Sequence, residues 1–285
     1  MTIRLVVDVE NSVTHLDNRR IDNRPHNKNN DLVSIGILNV DTGEEDYVAV
    51  YHNEKAHSAD RRAEVKNKIQ SADILIGHNI KYDLQWLWAS GIEYDGMVYD
   101  TMIGEYILAR GERVSISLAN SCERRGLANK KSDITKEYWD KGIGYEAMPW
   151  DIVEEYGRAD IRATRDLYVD QLKELAGTTL MATVNLTNNM CMCLSEIEYK
   201  GLAIDVAKLD EVEFDYRMEK KELTRRLQEM VHSYMGDTPI NLSSPEQISS
   251  MVFSYVPRDK KNHAMLYQLD RPFRPKIASA KFKDM

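Results

Sequence analysis

No apolar run in the 285-residue sequence approaches the roughly 18–20 residues that a membrane-spanning helix needs, which excludes a chain that spans a membrane by such helices. The start, Met1-Thr2-Ile3-Arg4-Leu5-Val6-Val7-Asp8, lacks the long apolar core and small-residue cleavage site of a signal peptide and reads as a strand. Cysteine is scarce: Cys122, Cys191 and Cys193 are too few for a disulfide framework, and the last two stand closer together than in a zinc knuckle. Reduced thiols and a cytoplasmic location are the expectation. Repeats and low-complexity segments are missing as well. So is an excess of positive charge. The net charge of −8 argues against a protein that passively coats DNA, but not against an enzyme that meets nucleic acid through a local patch and spends carboxylates on metal ions. The charge is uneven. Between Pro257 and Met285 eight Lys or Arg face three Asp, so this tail carries +5 and the rest −13. A basic tail is either a solvated end or a contact surface.

At roughly 100–200 residues per domain, the length suggests two domains, or one with a large appendage. Ile3 to Val9 is an apolar run rich in β-branched residues. Residues 11–31 are polar and read as an irregular loop. Leu32 to Asn39 and Tyr47 to Tyr51 complete a meander of three antiparallel strands. Helical character follows at 61–71, a buried strand at 74–77 and a helix at 82–90 stopped by Gly91. A short strand at 98–100 leads into helices at 101–108 and 117–124, and an apolar helical stripe runs over 151–176. This order predicts an α/β fold, a mixed sheet covered by helices. After Gly177 strand signals nearly vanish. Helices are expected at 180–199 and 207–234, and a third from Ser244-Pro245 to about Phe253. The expected domains are 1–177 and 178–285.

Three places hold polar groups that could do chemistry. Asp8 and Glu10 lie two apart on a strand and share a face. A divalent cation would neutralise such a pair, although Glu10 could simply lie past the strand end in solvent. Asn79 and Asp83 lie four apart where a strand gives way to a helix; alone, they read as a cap and a helix-start acid. Tyr156 and Asp160 sit one turn apart on a helix, and each has an ordinary structural role available.

In this order, Val7-Asp8-Val9-Glu10, Gly77-His78-Asn79-Ile80-Lys81-Tyr82-Asp83 and Tyr156-Gly157-Arg158-Ala159-Asp160 resemble the three motifs of the DnaQ-like (DEDD) 3′-5′ exonucleases, tyrosine subclass. Tyr99-Asp100-Thr101-Met102, Glu105-Tyr106-Ile107-Leu108 and Ser117-Leu118-Ala119 are similar to the proofreading domain of family A DNA polymerases of the DNA polymerase I type, phage enzymes included. Glu198 to Asp205 and Asn241 to Gln247 resemble the start of the thumb that follows it. The resemblance is weakest at residues 11–31 and after Val256.

It implies a ribonuclease H-like fold and a thumb-like helical segment. It also implies a site where Asp8, Glu10, Asp83 and Asp160 hold two Mg²⁺ or Mn²⁺ ions and Tyr156 orients the attacking water. Asn79 would contact the substrate strand or brace Glu10, Lys81 would meet a phosphate, and His78 or Tyr82 would stack near the terminal nucleotide. The implied substrate is single-stranded DNA or a frayed primer 3′ end, released as nucleoside 5′-monophosphates. Asn11 stands where relatives often have a small hydroxyl residue, and the side chain that wedges the terminal bases is not assigned. Palm and fingers motifs are not found. The chain is then a free-standing exonuclease, one part of a split polymerase that meets a separate polymerase chain, or a truncation. The short lead before Asp8 is similar to phage polymerases. The alternatives are a non-catalytic DNA-binding or polymerase-assembly subunit, and RNase D-like trimming of RNA 3′ ends.

Overall fold

The structure, a computed structural model, describes residues 2–16, 21–56, 58–127, 133–235, 241–245 and 247–249. The basic tail and the end of the helix expected to reach Phe253 lie outside the described residues.

The apolar first strand, β1 (Arg4–Asn11), is central. Two more strands, β4 (Leu32–Asn39) and β5 (Glu45–Ala49), extend the sheet on one side; β6 (Ile74–Gly77) and β7 (Met97–Asp100) extend it on the other. The order is β5-β4-β1-β6-β7. The β1–β4 and β4–β5 pairs are antiparallel, as a meander requires, whereas β1–β6 and β6–β7 are parallel. Between β1 and β4 the described residues hold regular structure that their polar composition does not suggest. Two short strands, β2 (Thr14–His15) and β3 (Ile21–Asp22), pair antiparallel, and the Asn30 side chain braces them by donating to the carbonyls of Asp22 and Arg24.

Alternation along β1 divides the core between two faces. Leu5, Val7 and Val9 pack with Val65 and Ile69 of α1 (Ala59–Gln70) and with Leu84 and Leu87 of α2 (Ile80–Ala89). Val6 faces the other way, towards Ile161 and Tyr168 of α6 (Trp150–Leu175). Asp8 and Glu10 continue the Val6 face, so the alternation that buries Val6 aims both carboxylates at α6. Between α2 and α6 lie α3 (Thr101–Leu108), α4 (Leu118–Arg124) and α5 (Asp133–Asp140). The last is a helix that the sequence periodicity does not reveal.

One compact unit spans Met1–Gly201. The change of composition at Gly177 marks the end of α6, and the unit runs on because α7 (Leu180–Lys200) packs against α2, α3 and β7. Its buried residues Val184, Asn188, Cys191 and Ser195 recur at helical spacing. Gly201 ends α7 with φ +67°, a backbone setting that favours glycine. The second unit is Leu202–Met285. Within it α8 (Val206–Met235) is capped by Asp205, which accepts from the Lys208 amide at 3.0 Å, and it carries ion pairs such as Lys208–Glu211 and Arg225–Glu222.

Candidate active site

Asp8 and Glu10 project from β1, and Asp160 projects from α6. One carboxylate oxygen from each lies within 4.8 Å of the others. Asp8 is half-buried, and Glu10 and Asp160 are 8% and 4% exposed. Glu10 does not run past the strand end: it pairs with Ser34 of β4, and a bulge follows between Glu10 and Asn11.

The approach of α6 to the sheet brings Asp160 to this point, and two glycines make room for it. Gly36 on β4 sits opposite Asp8, and a Cβ there would lie 2.9 Å from the Tyr47 ring. A Cβ on Gly157 would fall inside the same ring. The Tyr47 phenol is thus enclosed between sheet and helix, its hydroxyl 2.8 Å from that of Ser34. Burial raises the Tyr47 pKa well above its ordinary value, and the negative charges of Glu10 and Asp8 add to the rise. Glu45 of β5 ties the helix down from the side, accepting from Arg162 Nε and Nη2 at 2.6 Å each.

Tyr156 lies one turn before Asp160 on α6, half-buried, with its ring 5.9 Å from that of Tyr145. Burial first, then the charge of Asp160, holds Tyr156 far above the ordinary value for a phenol, so it stays protonated at neutral pH.

Asp83 comes from α2. It is 4% exposed, and its Oδ1 accepts from the amide of Val9, between the two β1 acids, at 3.1 Å. Its pKa is raised strongly, by burial first and by the charge of Asp8 second. It stands beside the trio but does not join the set whose oxygens all lie within 4.8 Å.

The residues around Asp83 follow a different logic from the capping read in the sequence. Asn79 occupies the N-cap position of α2 in left-handed backbone, φ +66°, a setting that asparagine tolerates better than most side chains, yet its own side chain makes no capping bond. Asp100, at the end of β7, supplies the cap. Its carboxylate accepts from the amides of Asn79 at 2.9 Å and Ile80 at 3.2 Å, and from Met102 at the start of α3 at 2.8 Å. One buried acid therefore starts two helices. Burial raises its pKa, against the pull of those amides. The Asn188 side chain on α7 accepts from the Asp100 amide at 2.9 Å.

The remaining expected substrate contacts are engaged within the fold. Lys81 Nζ pairs with Glu198 Oε1 of α7 at 2.8 Å. His78 Nδ1 lies 2.9 Å from the Thr101 hydroxyl, whose single hydrogen goes to the Gly77 carbonyl. Nδ1 is therefore the protonated nitrogen. Tyr82 donates to Asn11 Oδ1 at 2.5 Å, next to Glu10. The supporting residues Ser34, Tyr47, Tyr145 and Asp100 escape sequence reasoning. The only signal pointing to any of them is the Tyr99-Asp100-Thr101 string.

The three carboxylates form a hard oxygen donor set, which suits Mg²⁺ or Mn²⁺ rather than a thiolate- or imidazole-seeking metal. Among solved structures, Brucella melitensis NrnC with bound Mg²⁺ is similar: TM-score 0.50, 18% identity, 70% of this chain and 87% of that one. NrnC bound to pGG matches with TM-score 0.51. The POL domain of Pol1 from M. smegmatis in complex with primer-template DNA matches with TM-score 0.58 and 17% identity over 95% of this chain and 42% of that one. These likenesses establish a ribonuclease H-like fold. Among curated proteins, DNA polymerase I of Bacillus subtilis is 26% identical over 176 residues, 61% of this chain and 18% of its own length. The DNA polymerase of Bacillus phage SP01 is 26% identical over 244 residues, 79% of this chain and 26% of its own length. The chain thus spans about a quarter or less of these relatives. The 3′-5′ exonuclease family of A-type DNA polymerases matches residues 24–176, more than half of the sequence, from beyond the first acidic pair through the whole tyrosine motif. With that match and the acids of β1 and α6 in one cluster, the chain belongs to the 3′-5′ exonuclease domain family of DNA polymerase A.

Proposed function

We propose that the chain removes nucleotides one at a time from the 3′ end of DNA, as nucleoside 5′-monophosphates, in a proofreading-type reaction dependent on two divalent ions. The observation that carries this reading is the convergence of Asp8, Glu10 and Asp160 within 4.8 Å, with the Tyr156 phenol on the same helix as Asp160.

In this reading Asp8, Glu10 and Asp160 hold the ions, with Asp83 at the side of Asp8. Two Mg²⁺ or Mn²⁺ ions would supply an activated water and neutralise the charge that builds on the scissile phosphate. The chain's own residues do the rest. Glu10 and Asp160 are fixed by a buried strand and a helix clamped on Tyr47, so the donor oxygens need little rearrangement. Tyr156, a neutral phenol, orients the attacking water by a hydrogen bond; it does not remove the proton itself. Asn79, His78 and Tyr82 lie at the start of α2 and in the turn before it, on the approach to Asp83, where a terminal nucleotide would be gripped. Lys81 reaches a phosphate only by leaving Glu198.

DNA is favoured over RNA by the likeness to DNA polymerases over most of the chain. The likeness to NrnC, solved with the dinucleotide pGG, keeps RNA ends and short oligonucleotides as the second reading. A polymerase partner chain and the binding role of the basic tail remain part of the proposal. One assay tests it: matched 5′-labelled DNA and RNA oligonucleotides with Mg²⁺, with EDTA, and with Asp8→Ala. The expected result is a 3′-shortening ladder on DNA that EDTA and Asp8→Ala both abolish. Full activity of Asp8→Ala would overturn the site; a ladder on RNA alone would move the substrate to the second reading.

A further inference from the structure

The segment between α5 and α6 sits beside the tyrosine of the third motif, and nothing above assigns it a role. Its contribution is Tyr145. The Tyr145 and Tyr156 rings lie 5.9 Å apart, tilted by 33°, with their hydroxyls close enough to act on each other. On its other side the Tyr145 ring meets Trp139 of α5 edge-on at 5.4 Å, which leaves the Trp139 indole N–H, a group that can only donate, near enough to act on the Tyr145 hydroxyl. Indole, phenol and phenol therefore form a chain that runs from α5 to the acid cluster. Glu10 and Asp8 are both close enough for their charges to act on Tyr145.

The support is well anchored. The His52 ring bonds the Met148 carbonyl at 2.9 Å, and the Asn53 amide donates to the Glu146 carbonyl at 3.0 Å, fastening the stretch after Tyr145 to the residues that follow β5. The Met148 side chain is fully buried. The Ile143 amide bonds back to the Tyr138 carbonyl at 3.0 Å, closing the turn out of α5. A side chain held this way loses little further entropy when it positions another.

We propose that Tyr145 is a positioning residue for the hydrolytic reaction, holding the Tyr156 hydroxyl in the direction from which it orients the attacking water, with Trp139 fixing Tyr145 in turn. The inference rests on the exonuclease reading and deepens it. A phenol that already shares one hydrogen bond with a fixed neighbour polarises its remaining valence towards the water, because hydrogen bonds in a chain strengthen one another. Without Tyr145 the Tyr156 ring keeps its place on α6, but its hydroxyl rotates among several partners.

Steady-state kinetics on single-stranded DNA with Tyr145→Phe, Tyr156→Phe and the double variant test this. Tyr145→Phe is expected to lower kcat about three- to tenfold, the worth of one hydrogen bond, with KM nearly unchanged. The double variant should be no slower than Tyr156→Phe alone, because both changes remove the same oriented hydroxyl. Independent, multiplying effects, or full activity of Tyr145→Phe, would overturn the proposal. If Tyr145→Phe folds poorly, Trp139→Phe replaces it: the ring contact is kept, the donor is lost, and the same kcat-only, non-additive pattern is expected. A wild-type chain without Mg²⁺-dependent nuclease activity would instead sink the exonuclease reading itself, a result distinct from an active enzyme with additive variants.

Discussion

Gly157 has no side chain, and the Tyr47 phenol uses the space. The position lies inside the third motif, between Tyr156 and Asp160, so the closest approach of α6 to the sheet coincides with the residues that must reach β1. Gly36 makes the same allowance from below. The motif therefore works as much through the atoms it omits as through its acid. Gly157→Ala should destabilise the protein by about 1–3 kcal/mol, the usual cost of overpacking a filled core, and should lower nuclease activity further than that loss explains because Asp160 is pushed off the acid pair. Chemical denaturation beside an activity assay below the unfolding transition separates the two effects; unchanged stability and rate would mean that helix and sheet are less closely fitted than the Tyr47 enclosure indicates.

At the scale of elements, four helices are tied to the sheet or to one another by a few polar side chains. Asp100 begins α2 and α3 together, Asn188 fastens α7 to the same acid, and Glu45 fastens α6 to β5. The Glu45 tie responds to pH. Arg162, assisted by Arg158, holds the Glu45 carboxylate below its ordinary value of 4.5. A carboxylate with a depressed folded pKa stabilises the fold fully above its unfolded value and loses that contribution as pH falls through the folded one. Part of the acid lability should therefore disappear in Glu45→Gln, which starts less stable at neutral pH and declines less between neutral pH and the region below 4.5. Urea unfolding of both proteins across that range checks it, and parallel curves would show that the pair contributes nothing.

Over the whole molecule, the compact unit Met1–Gly201 gathers four acids from three distant stretches of chain, and their mutual repulsion, which the proposed metal ions would neutralise, weighs against folding. Adding Mg²⁺ or Mn²⁺ should raise the melting temperature of the wild-type chain, because a ligand that binds only the folded state stabilises it. Asp160→Asn should melt higher than wild type without metal and gain less from metal. A melting temperature insensitive to both ions would contradict a metal site at this cluster.

Most strands and helices were legible in the sequence because their apolar residues recur at periods of two or near four, and a buried face demands that pattern locally. The α5 helix and the β2–β3 ribbon were not. In the ribbon, side chains such as Asn30 do the bracing while apolar periodicity is absent. The identity of the acids, their order and the tyrosine one turn before the last of them were determined by sequence alone, since two residues on a strand or four on a helix must share a side. What only the tertiary structure decided is contact between elements far apart in the chain: that Asp160 reaches Glu10 across Tyr47, that Asp100 and not Asn79 caps α2, and that Lys81 turns to Glu198. The physical reason is that local backbone geometry sets which way a side chain points, while the packing of large and absent side chains between layers sets what it meets.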